Sequence, residues 1–101
     1  MSDYDMDLCS ASPELVAHWK TVCEYIKENQ LVQEISFRSW ILPLRILGCD
    51  KDTIIFEYRD KLPFEFRKDS AKYIKYKYEA RIVAAYNYCH GTDFKYIRVM
   101  Y

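Results

Sequence analysis

Pro43 constrains this chain more than any other residue. It closes the run Ser36-Phe37-Arg38-Ser39-Trp40-Ile41-Leu42-Pro43-Leu44, in which Phe37, Trp40 and Ile41 share one face at helical spacing. Proline lacks an N–H and its ring clashes with the carbonyl one turn back, so a helix running through Trp40 has to stop there and the chain leaves extended. A short helix therefore hands over to a strand at this corner.

The flanking residues agree with that reading. Leu44 to Cys49 is apolar and β-prone, Asp50-Lys51-Asp52 is turn chemistry, and Thr53 to Tyr58 reads as a second strand, which together predict an antiparallel hairpin. Upstream, Ser12 is an N-cap with Pro13 at the first helical position, which predicts a helix from about Pro13 to Asn29 with Leu15, Trp19, Val22, Cys23 and Ile26 as its apolar stripe. A second helix is expected over about Gln33 to Ile41. Beyond the hairpin, a linker containing Pro63 enters a long helix, roughly Glu65 to Tyr88, that lines up Ile74, Tyr78, Ile82, Ala85 and Cys89 and ends at Gly91. Phe94 to Val99 alternates as a third strand, with Phe94, Tyr96 and Arg98 on one face and Lys95, Ile97 and Val99 on the other.

The element order is α-α-β-β-α-β. A sheet of three short strands has to bury one face against the amphipathic helices, so the expected class is α+β, with one domain over residues 13–101 after a flexible acidic segment at 1–12. Trp40, Phe37, Ile41, Ile54, Phe56 and Ile82 are the expected core.

Charge is unevenly spread although the net is zero. Residues 1–34 carry two lysines against seven acids, a net of −5, while residues 59–81 carry eight cations against four acids, a net of +4. Opposite-sign faces steer partners in a salt-dependent way. No apolar run reaches the length of a membrane span, and the start, Met1-Ser2-Asp3-Tyr4-Asp5, is acidic where a signal peptide is basic, so a cytoplasmic protein is expected. The four cysteines, at 9, 23, 49 and 89, include no Cys-x-x-Cys pair, and His18 and His90 stand far apart in sequence; reduced thiols, surface histidines and no metal site are the expectation.

Only Gly48 and Gly91 are present, so the chain holds neither a phosphate-binding loop nor a dinucleotide-binding fingerprint. A Gly-x-Ser-x-Gly elbow and a His-Glu-x-x-His pair are also missing, and Asp50 and Asp52 read as solvated turn residues. The sequence is read as non-enzymatic and without a cofactor.

Several of these motifs occur together in one known family. The corner Trp40-Ile41-Leu42-Pro43-Leu44, the hairpin turn Asp50-Lys51-Asp52-Thr53-Ile54, the pair Lys77-Tyr78 on the long helix and Trp19 on the first resemble the N-terminal domain of the bacterial replication initiator DnaA, over roughly residues 15–100. The resemblance implies a small α+β domain often compared with KH domains. It also implies a role in contacting other proteins: self-association as a homodimer, docking to a DnaA-type initiator, recruitment of the replicative helicase, and binding of initiation regulators. A full-length initiator continues into an ATPase module and a helix-turn-helix module, for which 101 residues leave no room, so a stand-alone or excised first domain is expected, acting as decoy or adaptor if stand-alone.

By the same resemblance, Trp19 matches the tryptophan used for self-association, while its spacing from Leu15 and Ile26 equally suits a core residue. The helicase-contacting glutamate falls on Ser36, with Glu34 as a substitute on another face. The family's loop aromatic before the third helix corresponds to Leu62, Phe64 or Phe66.

A nucleic-acid reading stands beside this one. Lys72-Tyr73-Ile74-Lys75-Tyr76-Lys77-Tyr78 interleaves cations and aromatics, and Lys68, Lys72, Lys75 and Tyr76 would track phosphates and stack a base of single-stranded DNA weakly. Zero net charge and the lack of a Gly-x-x-Gly loop favour solvated lysines and core-leaning tyrosines instead.

Overall fold

The computed structural model describes residues 12–59 and 63–101; the expected flexible segment at residues 1–12 falls, apart from Ser12, outside the described residues. Helix α1, Pro13–Glu28, starts where the cap chemistry puts it, with the Leu15 N–H donating to Ser12 Oγ at 3.2 Å. It ends in a Schellman turn. The Leu31 N–H donates to the Ile26 carbonyl at 3.0 Å, the Gln30 N–H to the Lys27 carbonyl at 3.2 Å, and Gln30 itself takes the left-handed conformation, with φ of 52°.

The corner helix is where the sequence expectation needs correcting. Helix α2, Glu34–Ser36, runs directly into a π-helical turn, Phe37–Ile41, closed by the Leu42 N–H donating to the Phe37 carbonyl at 2.8 Å. A turn closed five residues on is wider than an α-turn and advances by roughly 80° per residue instead of 100°. Phe37 and Ile41 keep nearly the same bearing, but Trp40 is carried roughly 110° away from Phe37 instead of about 60°. Accordingly Phe37 and Ile41 are buried, whereas Trp40, expected in the core, is half-buried at its margin, its ring 4.9 Å from that of Tyr73 and 6.5 Å from that of Tyr58.

Past Pro43 the chain enters β1, Leu44–Asp50, and pairs antiparallel with β2, Thr53–Tyr58. The two-residue connection has Lys51 left-handed at φ 54°, and the register slips between Ile46 and Gly48, a bulge that keeps Leu47 buried. Helix α3, Phe64–His90, then crosses the sheet and returns the chain as β3, Tyr96–Met100, parallel to β2, so that β2 is central in the order β1-β2-β3. Parallel pairing needs such a long crossover.

Gly91, left-handed at φ 63°, stops α3. Asn87, one turn before, fixes the exit: its Oδ1 accepts from the Phe94 N–H at 2.9 Å and the Thr92 hydroxyl at 2.7 Å, and its Nδ2 donates to the Phe94 carbonyl at 2.9 Å. With its backbone held by Asn87, Phe94 precedes the strand instead of opening it.

Helices and sheet form two layers around one core. Trp19, Val22 and Ile26 of α1 and Ile74, Tyr78 and Ile82 of α3 pack on Ile46, Ile54, Phe56 and Ile97 of the sheet. In β3 it is Ile97 and Val99 that face inward, while Tyr96 and Arg98 stay exposed.

Candidate functional site

The corner helix turns two aliphatic side chains outward. Ile35 is 80% exposed and Leu42 62%, on a segment whose inner side, Phe37 and Ile41, is fully engaged with the core. The exposed Glu34 and Arg38 pair across this surface at 3.8 Å. One turn upstream, Leu31 is also exposed. Apolar groups held this far out of the core add nothing to its packing, whereas apolar area removed from water drives association. Neither Ile35 nor Leu42 is among the sequence-predicted site residues, although at helical spacing both lie on the side opposite Phe37, roughly 160° and 140° from it.

Trp19 lies in the core at 7% exposure, its indole 4.5 Å from the Phe56 ring, which answers the choice between stripe and surface in favour of the stripe. Glu34 is exposed at the start of α2, and Ser36 is half-buried beside Lys77 and Arg81 in a cleft. Leu62 lies outside the described residues, and Phe64 is the first residue of α3. Phe66, two positions further, is 59% exposed.

Of the residues expected to track nucleic acid, Lys68, Lys72 and Tyr76 are exposed, with Tyr76 at 91%. Lys75 is otherwise engaged. Its Nζ donates to the Ile97 carbonyl at 2.6 Å and to Glu79 Oε2 at 2.8 Å, and that same carboxylate oxygen accepts from the Ile97 N–H at 3.0 Å. The two side chains occupy the outward N–H and C=O of the edge strand as a neighbouring strand would. Partial burial pushes the Glu79 carboxyl up, but the bonds from Lys75 and the Ile97 N–H outweigh it and hold the group below the ordinary carboxylate range.

The two histidines, expected apart on the surface, meet between α1 and α3. Their ring centres are 4.4 Å apart, and His90 Nε2 donates to the His18 carbonyl at 3.0 Å. Among the described residues, no three His, Cys, Asp or Glu side chains gather to form a metal site. Burial, reinforced by the charge of Glu24, pushes the Cys23 thiol up to about 12, so it stays protonated and unreactive.

No protein family, curated protein or solved structure matches this chain.

Proposed function

We propose that this chain is a non-enzymatic protein–protein interaction domain of replication initiation, of the type found at the N-terminus of DnaA and acting in the bacterial cytoplasm. Its partners in this reading are a DnaA-type initiator, a second copy of itself, the replicative helicase or a regulator of initiation. The observation that carries the proposal is the outward pair Ile35 and Leu42 on the corner helix, beside Glu34, with one side of the segment fixed by the core and the other unpartnered. The α-α-β-β-α-β order supports the family reading. Self-association then runs through the corner helix, because the Trp19 side chain is committed to the interior.

The test uses the purified chain against the host initiator's N-terminal domain and its replicative helicase by titration calorimetry, with sedimentation for self-association. Binding to at least one of these is expected, weakened about tenfold or more in Ile35→Glu/Leu42→Glu with an unchanged unfolding midpoint. Absence of binding to all of them, or equal binding by the double variant, refutes the proposal.

A further inference from the structure

A second feature lies at the α1–α2 connection and stands independently of that reading. A cleft of about 260 Å³ opens between the connection and the middle of α3, lined by Gln30, Gln33 and Ser36 on one wall and by Lys77 and Arg81 on the other, with the buried Tyr78 beneath. Both cations lie against that floor. Lys77 Nζ and the Arg81 guanidinium carbon are each 5.7 Å from the centre of the Tyr78 ring. Lys77 donates to the Tyr73 hydroxyl at 3.0 Å, and among the described residues neither cation is ion-paired with a carboxylate.

Two like charges one helical turn apart repel. No carboxylate lines the cleft to neutralise them: apart from the Tyr78 ring, its other polar side chains are the neutral amides of Gln30 and Gln33 and the Ser36 hydroxyl. The rim residue Gln30 is a further departure from local rules. It sits at the Schellman position where glycine is the usual occupant, with φ of 52°, a conformation that costs a residue with a Cβ free energy and persists only where the surroundings enforce it. The residue in that strained position contributes an amide to the cleft.

We infer that this cleft is an oxyanion site that takes a phosphate monoester. The inventory matches: a phosphoryl group carries close to two negative charges and three strong acceptor oxygens, against two cations, one of them a forked guanidinium, with a hydroxyl and two amides to complete the donor set. A carboxylate offers one charge and two oxygens to the same walls and leaves one cation uncompensated.

Inorganic phosphate is the first probe, titrated at constant ionic strength while backbone amides are followed by NMR, with acetate, an O-phosphoserine peptide and a single-stranded oligonucleotide as parallel arms. Saturable shifts confined to residues around Gln30, Ser36, Lys77 and Arg81 are expected with phosphate and phosphoserine, and binding about tenfold weaker with acetate. Lys77→Ala/Arg81→Ala should weaken phosphate binding about tenfold or more without moving the unfolding midpoint, since both side chains are exposed. Gln30→Gly should keep the turn and still weaken binding. A phosphoserine peptide that binds more tightly than free phosphate identifies a phosphorylated protein as the source; equal affinity identifies a small phosphorylated molecule. Equal response to acetate and phosphate, unchanged binding by the double variant, or tighter capture of the oligonucleotide than of either phosphomonoester overturns the assignment.

Discussion

Removing the Glu79 carboxylate should unfasten the outer edge of the sheet. In Glu79→Ala, the Ile97 N–H loses its acceptor and Lys75 keeps only its bond to the Ile97 carbonyl. Glu79 is 28% exposed and Lys75 49%, so water screens the pair itself, and most of the loss comes from the backbone N–H left without a partner at a part-buried site. A hydrogen bond to a charged acceptor contributes about 1.5–3 kcal/mol; discounted for exposure, about 2 kcal/mol is expected, or roughly 10 °C in midpoint for a domain of this size. Glu79→Gln retains an acceptor oxygen and should lose about half as much. The pH dependence follows from the direction of the shift. Because the folded-state carboxyl is held below its ordinary range, its contribution is fully present above about pH 4.3, the unfolded value, and is lost as pH falls through the folded value. Urea unfolding of wild type, Glu79→Ala and Glu79→Gln from neutral pH to pH 3 measures this directly, and sedimentation should show the alanine variant associating as its edge is bared. If both variants match wild type to within about 0.3 kcal/mol at neutral pH, the side-chain plug is not a stabilising element.

Two further outcomes follow from the packing. Phe56→Ala, at a fully buried position, should cost about 3–5 kcal/mol, and Trp40→Ala only about 2, because its ring is already half in water; equal losses in chemical denaturation would return Trp40 to the core. Iodoacetamide at mild alkaline pH should label the exposed Cys49 well before Cys23, whose thiol is pushed up to about 12; peptide mapping that finds equal rates would contradict the burial of Cys23.

Features set by local chemistry were legible in the sequence. Ser12 and Pro13 open α1, Gly91 closes α3, and the Asp50-Lys51-Asp52 turn lies between two strands, because each depends on residues within one turn of itself. Phe37, Ile41, Ile54, Phe56 and Ile82 could be assigned to the core from periodicity alone. Trp40 escaped because a single π-turn changes the bearing of every residue it contains, and nothing in the spacing announces it. Lys75 escaped for a different reason. Its i,i+4 partner Glu79 was visible, but the Ile97 backbone that both engage arrives from 22 positions away from the lysine. The outward bearing of Ile35 and Leu42 was legible in helical spacing, which sets both opposite Phe37, but nothing local distinguishes an exposed aliphatic that meets a partner from one that is simply solvated.

The parallel seating of β3 on β2 also sets how much chain the domain needs in order to be a domain. Ile97 lies beside Ile54, and Trp19, Val22 and Ile26 of α1 close the same core, so a complete interior requires everything from α1 to the last strand, and no shorter fragment contains it. A proteolytic cut anywhere along α3 separates β3 from its scaffold and bares Ile54 and Phe56 together. Cleavage products should accordingly be intact protein or short peptides, with no surviving half.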